Sequence, residues 1–126
     1  MLAECDIMGF IPTVDAARAR RFYIDTLRLD FVSQDEFALV VRANGIDIRI
    51  TSMAAFNPAP YTILGWKVPN IEAAIQQLSA AGVVFERYPF LEQDIAGIWT
   101  APGGTKVAWF KDLDHNVLSI SQFPAK

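Results

Sequence analysis

Two stretches of this 126-residue chain carry the same order of signals, an apolar strand, an amphipathic helix and then short strands. This internal repeat of about 55–60 residues constrains the fold more than any other feature. From Asp6 to Val14 an apolar, β-branched run predicts a strand, and Asp15 predicts the N-cap of a helix. Ala16, Ala19, Phe22, Tyr23 and Leu27 then recur at helical spacing, with Arg18, Arg20, Arg21 and Asp25 between them, which predicts one helix of about three turns. Strands are expected over Phe31–Ser33, Phe37–Arg42 and Ile46–Thr51. Asn44-Gly45 is a hairpin signal, because both residues tolerate positive φ. Ile46, Ile48 and Ile50 alternate with Asp47, Arg49 and Thr51, so one face of that strand is expected to be buried and the other polar.

Residues 53–60, with two prolines, read as a connector. The pattern then returns. Tyr61 to Val68 reads as a strand, Asn70 as an N-cap, and Ile71, Ala74, Ile75 and Leu78 as one helical face that stops at Gly82. Strands are expected at Val83–Arg87, Gly97–Thr100, Lys106–Phe110 and Val117–Ser121, with turns at Pro102-Gly103-Gly104 and Asp114-His115-Asn116. The predicted fold is α+β: two tandem βαβββ modules forming curved mixed sheets around a cleft, helices outside. Residues 1–126 are read as a single domain, with module one at about 5–53 and module two at about 61–122.

Composition narrows the chemistry. The chain is 52% hydrophobic and 20% charged with net charge −3, a globular profile without the Lys/Arg surplus of a nucleic-acid or polybasic membrane footprint. It has one histidine, His115, and one cysteine, Cys5. Sites built on several imidazoles, internal disulfides and Cys-rich zinc centres are excluded within this chain, and a reducing compartment is expected. The acidic N-terminus lacks the pattern of a signal peptide, and no run is apolar for the ~18 residues of a membrane span. A cytoplasmic location is therefore expected.

Val14-Asp15, Ala19-Arg20-Arg21-Phe22-Tyr23 and Leu27-Arg28-Leu29 resemble the "D…A..FY…LGL" signature of the glyoxalase, bleomycin-resistance and extradiol-dioxygenase superfamily, the vicinal oxygen chelate proteins. Asp112-Leu113-Asp114-His115-Asn116 is similar to the "DPDGN" turn before that family's last strand, and Ile71-Glu72-Ala73-Ala74 resembles the start of its second helix. The resemblance spans nearly all of residues 6–122. It implies a divalent metal in the cleft, held by His, Glu or Gln from the first and last strands of each module. The matching positions here hold Met8, Ile63, Ser119 and either Arg49 or Asp47. Met, Ile, Ser and Arg do not hold Zn²⁺, Ni²⁺ or Fe²⁺, which require imidazole or carboxylate, and an Arg would repel the ion. No metal and no cofactor are expected. Arg28 and His115 stand where the family has glycines that commonly take positive φ.

His115 has the side chain best suited to acid–base work near neutrality, but it is expected at a solvated turn tip. Cys5 sits between Glu4 and Asp6, whose charges disfavour a thiolate. Arg49 is expected to point away from the helix and to anchor a ligand carboxylate or phosphate; the structural alternatives are a pair with Asp47 or another acid, or a surface Arg on an edge strand. If Ala108 and Phe110 pack toward the helix, Trp109 faces the cleft, for a ligand or for a dimer contact. The parity of Trp66 and Trp99 stays open. Glu92 and Asp94 lie in a loop that could supply a general base, though a solvated loop is the ordinary case. Arg18, Arg20 and Arg21 read as a solvated helix face.

The expected function is metal-free binding of a small anionic or aromatic molecule, with Arg49, Trp109, Ser119, Phe10 and Ile63 as the ligand-binding set. Bleomycin-resistance proteins, which sequester their ligands, are the analogue. The alternative is a metal-dependent lyase, isomerase or dioxygenase of the same superfamily. The expected partners are a small-molecule ligand and a second copy of the chain in a homodimer, with no nucleic acid and no membrane.

Overall fold

Asp15 and Asn70 start the two helices as their residue types predict. Each holds an extended backbone, and its side-chain oxygen accepts a hydrogen bond at 3.0 Å from the N–H three residues on, Arg18 and Ala73 respectively. The computed structural model describes residues 1–125. The chain divides into two units, Met1–Asn57 and the residues from Pro58 onward, and the boundary falls inside the expected connector.

In the first unit, β1 (Met8–Thr13), β2 (Asp30–Gln34), β3 (Ala38–Ala43) and β4 (Ile46–Ser52) form a mixed sheet in the order β1-β4-β3-β2. β1 runs parallel to β4 and the other pairings are antiparallel. Asn44 and Gly45 close the β3–β4 hairpin with φ of 48° and 81°, as expected of this dipeptide. The single regular helix expected after Asp15 is corrected. The chain is α-helical only over α1 (Ala16–Arg20) and continues as a π-helical segment over Arg21–Thr26. There the Leu27 N–H reaches the Phe22 carbonyl five residues back, at 2.9 Å. Consecutive Phe22 and Tyr23 are both buried beside that wider turn, with their rings edge to face at 5.1 Å. Arg28 takes a φ of 64° and reverses the chain, so that the Leu29 N–H reaches the Tyr23 carbonyl.

Alternation along β4 divides this sheet into two faces. Ile48 and Ile50, with Leu39, Val41 and Ile11 in register, are buried on the side where α1 packs on β3 and β4. Asp47, Arg49 and Thr51 occupy the other side. Ile46 departs from the expected buried set: at the hairpin mouth it is 46% exposed.

The second unit repeats the order. β5 (Thr62–Lys67), α2 (Ile71–Ala80), β6 (Trp99–Thr100), β7 (Lys106–Lys111) and β8 (Val117–Gln122) give a second mixed sheet, β5-β8-β7-β6. α2 packs on β7 and β8 through Ile71 and Ile75, above Ala108, Phe110, Leu118 and Ile120. Gly82 takes a φ of 98° after the helix, where the sequence places the stop. The strand expected over Val83–Arg87 is corrected. Only Phe85 bridges to Phe110, and the Glu86 N–H donates to the Trp109 carbonyl at 2.8 Å. Pro89 follows, with no N–H to continue a ladder. The same edge of β7 is taken up again by β6, ten residues further on, so two short segments share the place of one strand.

The Asp112–Asn116 turn explains why this motif precedes β8. The Asp112 carboxylate accepts from the Asp114 and Asn116 N–H groups and from the Asn116 side-chain amide, all at 2.9 Å, and these three residues are buried. His115 at that tip is exposed, as is Leu113, and takes a φ of 68°.

Candidate functional site

Each sheet has one face under a helix and one face without. The helix-free faces collect the polar and aromatic residues that the sequence singled out. In the first unit a row crosses the sheet from Phe10 on β1 to Arg49 on β4 and Val40 on β3, all in direct register. Phe10 is 64% exposed, Arg49 half-buried and Val40 buried. One row away, Asp47 pairs with Arg42, whose Nε donates to Oδ1 at 2.6 Å. That pairing removes Asp47 as the structural partner proposed for Arg49. Among the described residues the Arg49 guanidinium has no hydrogen bond and no ion pair. Its charge is felt at Asp35, whose carboxyl is held below its ordinary value first by the N–H groups of Phe37 and Ala38 and, more weakly, by Arg49.

In the second unit the corresponding row runs from Gly65 on β5 to Ser119 on β8 and Trp109 on β7. Ala108 and Phe110 are buried beneath α2, so Trp109 stands on the helix-free face, as the alternation predicts. Ile63 falls at a register shift between β5 and β8, which leaves it without a direct partner and half-buried. The open parities are now fixed. Trp66 lies on the helix side and stacks on Phe110 with centroids 6.3 Å apart, whereas Trp99 is in register with Val107 on the Trp109 side. Trp99 lies 6.2 Å from Trp109, and Tyr88 meets Trp109 edge to face at 5.6 Å and 83°. Burial, with a smaller contribution from Glu86, pushes the Tyr88 phenol above its ordinary value.

The 86–99 loop is held by its own side chains. Gln93 donates to the carbonyls of Glu86 and Gly97 and accepts from the Tyr88 N–H, so one side chain ties three parts of the loop together. The Asp94 Oδ1 accepts from the Ala96 and Ile98 N–H groups, both at 2.9 Å. Those bonds give this carboxylate a structural task. Glu92 and Asp94 line a depression of about 350 Å³ together with Gln93, Ile98, Trp99 and Thr100. Gln93, Tyr88 and Gly65 were missed in the sequence. Continuing the alternation from Glu86 would have placed Tyr88 beside it, but nothing in the sequence shows that Gln93 turns inward or that Gly65 stands opposite Ser119.

The remaining candidates disperse. Cys5 is exposed, with its thiol 3.4 Å from the Met1 carbonyl. Arg20 lies over the Phe31 ring at 4.5 Å and bonds Gln34, a surface arrangement of the first helix. No helix is long and apolar enough to cross a membrane among the described residues.

The residues at the expected metal positions do not fit a metal. Met8 offers a thioether beside Asp47, whose carboxylate is already held by Arg42. Arg49 brings a positive charge, Ile63 has no donor atom, and Ser119 offers one neutral hydroxyl. Among the described residues no three His, Cys, Asp or Glu side chains gather into a potential metal site.

No family model matches the sequence, and no curated protein matches it. Solved structures do match. A member of the glyoxalase/bleomycin resistance protein/dioxygenase superfamily from Sphaerobacter thermophilus DSM 20745 superposes with a TM-score of 0.74 at 19% identity, covering 97% of this chain and 99% of that one. The chain has the glyoxalase/bleomycin-resistance fold. A second protein of this fold, a glyoxalase/bleomycin resistance protein/dioxygenase from Alicyclobacillus acidocaldarius, gives a TM-score of 0.72 at 14% identity over 97% of this chain and 93% of that one. TnmS3, an antibiotic binding protein from Streptomyces sp. CB03234, gives 0.70 at 19% identity over 98% and 99%. The glyoxalase/bleomycin-resistance fold thus covers both units, and the alternating faces described above are how this sequence furnishes it.

Proposed function

We propose that this chain, as one domain, is a metal-free small-molecule-binding protein. Each helix-free sheet face offers its own contacts to a small anionic or aromatic molecule. On the first unit Arg49 anchors negative charge through its forked donors and Phe10 supplies apolar contact; on the second, Ile63 supplies apolar contact, Trp109 a ring face and Ser119 a hydrogen bond. The observation that carries this reading is Arg49: a half-buried guanidinium without a hydrogen bond or ion pair among the described residues, in register with an exposed Phe10. Its forked donors, on a partly buried residue, are open to an anionic ligand. The likeness to an antibiotic binding protein supports binding without chemistry.

Calorimetric titration with 2-naphthoate tests the anchor. Arg49→Ala is expected to weaken binding by about tenfold or more, the worth of a charge-assisted hydrogen-bond pair. Unchanged affinity would remove Arg49 from the site. Elemental analysis of the purified protein tests the metal-free part: a tightly held divalent ion at about one per chain would replace this reading with the metal-dependent lyase, isomerase or dioxygenase. Pairing into a cytoplasmic homodimer belongs to the same proposal. It is supported by edge strand β1, which carries exposed Met8 and Phe10, and sedimentation equilibrium measures it.

A further inference from the structure

Ser119 is 6% exposed and sits on the helix-free face of the second sheet, between Gly65 and Trp109 in one row. Among the described residues its hydroxyl has no hydrogen-bond partner. Its oxygen is not one of the fully buried unpaired atoms, so it stays open to a group approaching this face, which it can serve as donor or acceptor. Its surroundings say which kind. Trp109 is one strand over, a spacing of about 4.8 Å, so a flat ring lying against Trp109 brings an edge substituent to the Ser119 hydroxyl. Tyr88 stands nearly perpendicular to Trp109 and Trp99 is tilted beside it, so the indole is flanked by two further rings, an arrangement suited to a flat, conjugated molecule.

Gly65 controls the approach. A methyl group there would come 3.1 Å from the Ser119 Oγ and 3.3 Å from its carbonyl oxygen, tighter than an ordinary contact. Gly65 does not have the left-handed backbone that would itself demand glycine. The missing side chain therefore serves space, and that space lies over the Ser119 hydroxyl.

We infer that the Gly65–Ser119–Trp109 row is a subsite for a flat ring bearing a hydroxyl or carbonyl at its edge, with Gly65 as the residue that sets its specificity. This rests on the reading that the helix-free faces bind small molecules, and it does not require Arg49.

The probes are 2-naphthol, a flat ring with one hydroxyl, and naphthalene, the same ring without it. Titrations are followed by amide and indole NMR shifts of Gly65, Ser119 and Trp109. Wild-type protein is expected to prefer 2-naphthol over naphthalene by about five- to tenfold, the worth of one buried hydrogen bond. Ser119→Ala should erase that preference while still binding both. Gly65→Ala should weaken 2-naphthol by about tenfold or more, through overlap at Oγ. Far-UV circular dichroism confirms folding, and if Gly65→Ala does not fold, Ser119→Ala alone decides. Equal wild-type affinity for the two probes, shifts elsewhere than in this row, or a Ser119→Ala variant that keeps the preference would overturn the inference. If wild-type protein binds 2-naphthoate but shows no preference for 2-naphthol over naphthalene, this subsite fails while the reading of the helix-free faces stands; if it binds none of the three probes, that reading fails with it.

Discussion

Arg42 and Asp47 are direct register partners across the β3–β4 hairpin, and their side chains close a two-bond pair with Nε–Oδ1 at 2.6 Å and Nη2–Oδ2 at 3.3 Å. The pair occupies the carboxylate that stands two positions from Arg49 on the same face. Releasing that carboxylate should hand Arg49 a competitor. Arg42→Ala is therefore expected to weaken 2-naphthoate binding by roughly twofold or more, with the effect shrinking as salt is raised. Arg42→Ala with affinity unchanged at low salt would show that Asp47 stays away from Arg49.

Gln93 is expected to be the fastener of the 86–99 loop. Gln93→Ala removes three hydrogen bonds, to Glu86, Tyr88 and Gly97, and should cost about 1–3 kcal/mol in urea denaturation. Amide exchange at Tyr88 should accelerate more than exchange along β8. Equal acceleration everywhere would mean that the loop is held by something else.

Tyr88 gives the alkaline arm of stability a distinct component. Burial favours its neutral phenol, so its folded value lies above the ordinary 10.0. The folded state then holds the proton more tightly than the unfolded chain. Its contribution is complete below pH 10 and is lost as pH rises through the higher folded value. Phenolate absorbance present in wild type and missing in Tyr88→Phe should appear above pH 10, and the variant's stability should fall less steeply there.

Phe110, 1% exposed, packs between Trp66 and Phe85 with centroids at 6.3 and 5.6 Å. Phe110→Ala should cost about 3–5 kcal/mol, mostly through the cavity it leaves. A loss below about 1 kcal/mol in chemical denaturation would place the core of the second unit elsewhere.

His115 holds a left-handed φ of 68° at an exposed tip, and its side chain is not used by the turn, which is built from Asp112, Asp114 and Asn116. His115→Gly should stabilise the protein by about 0.5–1 kcal/mol, since relief of the left-handed strain exceeds the added chain entropy. A lower thermal midpoint for the variant would contradict this.

Local rules made much of the fold legible. Asp15 and Asn70 cap helices wherever they precede an amphipathic run, Asn44-Gly45 favours one class of hairpin, and the alternation of Ile48 and Ile50 with Asp47 and Arg49 sorts a strand into two faces. These outcomes depend on neighbours a few residues away, so a sequence carries them. The π-helical turn at Arg21–Thr26 did not follow from spacing, because Phe22 and Tyr23 fit either helix type until they are packed.

The repeat that fixed the architecture was readable from the sequence alone, and so was the loss of imidazole and carboxylate at Met8, Ile63 and Ser119. The subsite was not. That Gly65 stands beside Ser119, that Trp109 is flanked by Tyr88 from a loop and Trp99 from an edge strand, and that Asp47 is taken by Arg42 and not by Arg49 were decided by strand register. Register is set when whole faces are buried together, including a shift at Ile63 that no local pattern announces, and a displacement of one residue would have turned every one of these side chains to the opposite face.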